Sequence, residues 1–190
     1  MTTTENTAIA PRFIVSVVAN VARAAIGFTS IMLMARWLGP KDYGRMAFLL
    51  ATFIAIKSLL DMGSSAAFFT FLSKRQRSSR FVSIYWCWIG IQFLFALLVV
   101  GLLLPDGAVA GIWKGETRLW VVLALIAGFM QHTVWTIASQ MAEAQRETIR
   151  VQKLNVLFAC IHLAAVLGLW AVGQLAVPVL FVVIALEWGL

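Results

Sequence analysis

The chain has 190 residues, of which 62% are hydrophobic and only 12% charged, and its mean hydropathy is +0.91. A water-soluble domain of that make-up lacks the polar surface to cover itself, so lipid is the expected solvent. The formal charge of +7 and a pI near 10.1 do not point to nucleic acid, because the 15 basic residues are scattered through short connections between apolar runs. Such an excess is expected of cytoplasmic loops lying against anionic lipid headgroups.

In chain order, residues 1–12 form a short polar tail. Met1 to Ala10 carry no positive charge, and the apolar run that follows is too long for a secretory signal, so the first helix is expected to stay in the mature protein. Six apolar segments come next, at 13–38, 43–60, 81–104, 119–141, 154–172 and 175–190. The expected fold is therefore an all-α polytopic membrane bundle of about six transmembrane helices over residues 13–190. The third segment has no charged residue and measures about 36 Å as a helix, enough to cross a hydrocarbon core of ~30 Å with some tilt.

Stop signals separate these segments: Gly39 and Pro40, then Asp61, Met62 and Gly63, then Pro105, Asp106 and Gly107. The small and apolar stretch from Ser64 to Leu72 is too short to span and reads as an interfacial helix ahead of Lys74, Arg75, Arg77 and Arg80. Good helix formers from Gln140 to Lys153 suggest a nearly continuous helical elbow between the fourth and fifth spans. Arg12, the Lys74 to Arg80 group, Arg146, Arg150 and Lys153 fall on one side of the membrane, and Arg36, Lys41, Arg45, Lys114 and Arg118 on the other. The more basic side is expected to be cytoplasmic, and with it the amino terminus. Cys87 and Cys160 lie inside apolar runs without partners at metal-ligand spacing and read as packing residues. Trp37, Trp113, Trp120 and Trp188 lie near span ends, where interface anchors are expected.

The first loop, Ala35-Arg36-Trp37-Leu38-Gly39-Pro40-Lys41-Asp42-Tyr43-Gly44-Arg45, is followed by a helix and then by Leu60-Asp61-Met62-Gly63-Ser64-Ser65. This pattern resembles the start of bacterial polysaccharide-biosynthesis transporters. These are the O-antigen and exopolysaccharide flippases of the multidrug/oligosaccharidyl-lipid/polysaccharide exporter superfamily. The resemblance covers about residues 10 to 175, with matching helix spacing through Lys153. It implies one lobe of a two-lobed helical transporter in the bacterial cytoplasmic (inner) membrane, moving polyprenyl-linked glycans. Relatives of this kind have twelve to fourteen helices, so a truncated or split transporter, or one paired with a second transmembrane lobe, is expected. The short last segment favours truncation. A lipid-linked glycan, anionic lipids, a second lobe and polysaccharide assembly proteins are the expected partners, with no cofactor and no metal.

Polar residues inside the spans give candidate sites. Ser16, Asn20, Arg23, Gly27 and Ser30 share one face of the first helix, Gly128, His132, Thr136, Ser139 and Glu143 repeat the arrangement, and Gln152, Asn155, Ala159 and His162 follow. For the uncharged residues, close helix packing is an equally good reading. A charge at mid-depth facing lipid costs ~2.5–3.5 kcal/mol or more, so Arg23 is expected to face a cavity or a carboxylate. Arg23, with Lys57 as the weaker second and Asn20, His132 and Asn155 beside them, is the candidate site for the pyrophosphate or acidic sugars of the substrate. Lys57 also has Asp61 one turn on as a structural ion-pair partner. His132 and Glu143 are a candidate proton-coupling pair, although each membrane histidine is more simply a hydrogen-bonded packing residue, and no HExxH motif indicates a metal.

Three other functions compete. A membrane-embedded polysaccharide-modifying enzyme needs a positioned acid, base or nucleophile, and the spacing of Asp61, Glu143, His132 and His162 forms no catalytic group, so no enzymatic activity is expected. A small-molecule extruder of the same superfamily and a non-transporting fragment or assembly partner are the others.

Overall fold

The computed structural model describes residues 3–74 and 78–189, with side chains from Ile14 onward. Arg75, Arg77 and the side chain of Arg12, all part of the basic-side count, lie outside the described residues. Among the described residues every regular element is helical.

The first tract, α1 (Thr3–Asp61), starts inside the stretch expected to be a tail. Hydropathy marks where lipid is tolerated, whereas a helix needs only its backbone bonds, so the two boundaries need not coincide. Gly39, at φ 79° and ψ 162°, is the one non-helical residue within it. Only glycine adopts that backbone region readily, and Pro40 then opens the next helix at a position where no N–H is needed. The tract is therefore two arms, 3–38 and 40–61. Next come α2 (Ser64–Lys74) and α3 (Ser79–Leu98), the latter ending in a π turn, Val99–Leu103. A short α4 (Asp106–Ile112) occupies what the stop signals marked only as a break. α5 (Arg118–Phe129) passes through a second π turn, Met130–Val134, into α6 (Trp135–Ala144), and α7 (Thr148–Ala171) and α8 (Val177–Gly189) complete the order.

Among the described residues four helices are long and apolar enough to cross a membrane: Ile14–Asp61 taken across its break, Ser79–Leu103, Arg118–Ala144 and Thr148–Ala171. α8 is apolar but shorter, about 20 Å by helical rise, so it does not reach the ~30 Å of a hydrocarbon core. The expected helical elbow is interrupted: α6 stops at Ala144 and α7 starts at Thr148, with Arg146 between them at φ 64°.

Side-chain contacts give the directions of the helices. The second arm of α1 and α5 run the same way, since Arg45 meets Glu116 at one end and Phe53 faces Gly128 further along. α3 runs against them, because Arg118 reaches the carbonyls at its far end while Phe93 stacks on Phe129 at a centroid distance of 3.9 Å. The connections thus alternate between two ends of the bundle.

α5 lies at the centre of the core. Its Ala124, Ala127 and Gly128 are buried, and small side chains let neighbouring backbones approach where no hydrophobic drive between helices exists in lipid. Around it pack Met46, Leu49 and Phe53 of the second arm, Val109 and Trp113 at α4, and Leu180, Phe181 and Ile184 of α8. Trp113 is therefore a core residue rather than an interface anchor, its ring 5.9 Å from that of Phe53. Outward faces are apolar instead of polar: Val18, Phe28, Leu94, Phe95 and Leu157 are all exposed. Contiguous surfaces of this kind do not persist in water, and acyl chains cover them.

A candidate anion-attracting cleft

A cleft opens between the second arm of α1, α3 and the tract from α5 to α6. It has about 60 Å³ of room within about 710 Å³ of partly open space. Its walls are mostly apolar and aromatic, with Phe53, Phe93 and Phe129 among them, and Lys57, Asp61, Gln92, His132, Thr133 and Thr136 supply the polar groups. Gly128, His132 and Thr136 share one stripe of the tract, Phe129, Thr133 and Ile137 the neighbouring one, and both stripes line the cleft. Thr133 Oγ1 is buried there without a hydrogen-bond partner among the described residues.

The polar stripe extends less far than its spacing suggests. Ser139 and Glu143 do not line the cleft. Glu143 is eleven residues beyond His132, roughly 16 Å along the helix axis, so the candidate proton-coupling pair is not brought together. Asn155 likewise lies away from the cleft, and its Oδ1 accepts a hydrogen bond of 2.9 Å from Trp135 Nε1. That indole belongs to an aromatic cluster with Phe158 and Trp188.

Lys57 and Asp61 both line the cleft but form no salt bridge. Asp61 acts as a cap instead. Its Oδ1 accepts from Ser64 Oγ at 2.6 Å and from the Ser65 backbone N–H at 2.9 Å, and its Oδ2 accepts from Ser65 Oγ. A free N–H at the start of α2 is the stronger local demand on a carboxylate one short turn away, which is why the expected ion pair gives way. Lys57 is left as a cation without a hydrogen-bonded or ion-paired carboxylate among the described residues, close enough to act electrostatically on Asp61 and His132.

Arg23 and Asn20 are elsewhere. Both are exposed on the first arm, and Arg23 makes no hydrogen bond or ion pair among the described residues. The stripe they belong to turns inward only at Ser30, which is buried and donates to the Ile26 carbonyl at 3.0 Å.

At the opposite end of the bundle two cations, Arg45 and Arg118, are engaged. Arg45 Nε and Nη2 donate to the two oxygens of Glu116, the second at 2.9 Å, and its guanidinium lies 4.7 Å from the centre of the Trp120 ring. Arg118 pairs with Asp106 at 2.7 Å and donates to the carbonyls of Gly101 at 2.8 Å and Leu104 at 2.6 Å. Those carbonyls belong to the π turn that ends α3 and to the residue after it, where regular helical bonding stops.

Sequence reading missed one ionisable group in the apolar spans. Glu187 sits in α8, and its Oε2 lies 2.8 Å from His162 Nδ1 of α7. The signal was present as a lone carboxylate in an otherwise uncharged apolar run. Among the described residues no group of three His, Cys, Asp or Glu could hold a metal ion. Comparison of the chain with models of known protein families, with curated proteins and with solved structures gives no match.

Proposed function

We propose that the chain forms part of a transporter that moves polyprenyl-linked glycan precursors across the bacterial cytoplasmic membrane. The carrying observation is the cleft itself: an unpaired Lys57 ammonium and hydrogen-bonding groups from His132, Thr133 and Gln92, set among aromatic and aliphatic walls between membrane helices. A cation in low dielectric attracts phosphate far more strongly than it would in water, and the apolar walls suit an isoprenoid chain. About 60 Å³ of room fits a phosphate rather than a whole oligosaccharide, so the sugars would extend beyond this chain.

With Gly39 read as a turn, the two arms of α1 count as separate crossings, giving five spans with α8 as a shorter sixth apolar segment, in keeping with one lobe of a flippase. Arg23 and Asn20 then face a second lobe across a wet cavity, and the basic side with the amino terminus is cytoplasmic. Alternating access would follow from rocking of the two lobes. The test is leaflet-specific detection of lipid-linked oligosaccharide: loss of the gene should strand it on the cytoplasmic leaflet. An unchanged distribution between leaflets removes the proposal.

A further inference from the structure

We propose that His162 and Glu187 form a proton-binding site inside the membrane, at which one exchangeable proton is held between α7 and α8. The pair is short, with Nδ1 and Oε2 2.8 Å apart, and both side chains are largely withdrawn from the surface, 18% and 7% exposed respectively. The second carboxylate oxygen, Oε1, is buried and has no hydrogen-bond partner among the described residues. A buried acceptor left open in apolar surroundings is costly, and a bound proton or an entering water removes that cost.

Among the described residues no other charged side chain bonds to the pair. On α1, Arg45 is held by Glu116 and Asp61 by the serines of α2, while Arg23, Arg36 and Lys57 make no bond to either partner. Arg118 of α5 belongs to Asp106, and His132 and Glu143 of the tract from the π turn to α6 make no bond to the pair. The next residue on α8, Trp188, packs against Trp135 and Phe158 at 5.3 and 5.0 Å between centroids.

The chemistry follows from charge. With one shared proton the pair is neutral overall, as imidazole with carboxylic acid or as imidazolium with carboxylate. Losing that proton leaves a net negative charge in the apolar interior, and gaining a second leaves a net positive one. Uptake breaks an O–H bond of hydronium and forms an O–H bond at Glu187 or an N–H bond at His162, and release returns the proton to water. No other reactant is needed. The site does not depend on what substrate the protein carries.

Infrared difference spectra of the full chain in lipid, recorded as the bulk pH is stepped, test the site. A protonated-carboxyl band should grow and fade with pH, vanish in Glu187→Gln, and titrate at a proton concentration changed tenfold or more in His162→Gln. Should Glu187→Gln not fold, Glu187→Asp retains an acid on a shorter stem and should shift the same band. A wild-type spectrum in which neither a Glu187 carboxyl band nor a His162 imidazole band titrates, or one whose midpoint His162→Gln leaves in place, overturns the proposal and reduces the pair to a structural clip between α7 and α8.

Discussion

Arg45 and Glu116, 71 positions apart in sequence, meet side-on through both guanidinium and carboxylate edges and so fix the entry of the second arm of α1 against the start of α5. Glu116 is 7% exposed in its side chain and Arg45 36%, so the pair is half in solvent. Breaking a fully buried pair costs ~3–5 kcal/mol, and screening at the open side reduces that here to about 1–2 kcal/mol. Glu116→Ala should lower thermal stability in detergent by that amount. Arg45→Lys should recover only part of the contact, because an ammonium cannot reach both oxygens at once. Wild-type melting of Glu116→Ala would show that helix packing alone sets this end.

Gly39 offers a sharper backbone test. A side chain at φ 79° and ψ 162° is strained whatever space surrounds it, and apart from its chain neighbours no heavy atom of the described residues lies within 4 Å of where a Cβ would sit. Gly39→Ala should therefore destabilise by about 1–3 kcal/mol through backbone strain, without any clash. Measured by proteolysis of the inserted protein, the first connection should become more readily cut. An unchanged cleavage rate would mean that the two arms are not held at this angle.

Hydropathy carried the all-helical class because lipid selects long apolar helices before any tertiary detail matters, and four such helices stand among the described residues. What hydropathy could not give was register and partnership. The π turn at Met130–Val134 has no compositional mark. α4 is seven residues long and announced only by Pro105 and Asp106. Glu187 was hidden inside a segment read as uniformly apolar, and its partner His162 is 25 positions away. Arg23 was singled out for its cost in lipid, a sound reason, but a cost does not say toward which neighbour a side chain turns.

The cap at Asp61 and the cation at Lys57 are separable by a double-mutant cycle. Asp61→Ala removes the acceptor of the Ser65 N–H and two serine hydroxyls, a loss of about 0.5–2 kcal/mol typical of helix capping. Lys57→Ala should leave stability nearly unchanged. With no salt bridge between them, their coupling should not exceed the ~0.5 kcal/mol of an ordinary i,i+4 charge pair. A coupling energy well above that would restore the ion pair.

Transport assays on the same positions read the functional half. Lys57→Ala should lower flipping of a labelled polyprenyl-pyrophosphate oligosaccharide in reconstituted vesicles by about tenfold or more, the loss of one charge-assisted contact of about 1.5–3 kcal/mol, and Lys57→Arg should keep most of it. Arg23→Ala should abolish export and Arg23→Lys retain some, with both proteins still inserted. Wild-type flipping by Lys57→Ala would dissociate the cleft from the substrate, and wild-type flipping by Arg23→Ala would leave the first arm's exposed cation to lipid or protein contacts.

Gly128 distinguishes a cleft that must stay open from one that merely happens to be so. A Cβ there would sit 3.6 Å from Phe53 Cβ, an ordinary contact, so Gly128→Ala should fold as well as wild type or gain up to ~1 kcal/mol from helix propensity. Gly128→Leu cannot be placed without pushing Phe53 aside or filling the cleft, and should cost about 1–3 kcal/mol by overpacking. If the cleft holds substrate, flipping should fall in Gly128→Leu by more than its lost stability accounts for, measured at equal amounts of folded protein. Equal flipping by the two variants would place the transported molecule elsewhere and leave Lys57 and His132 as packing groups of an all-helical membrane bundle.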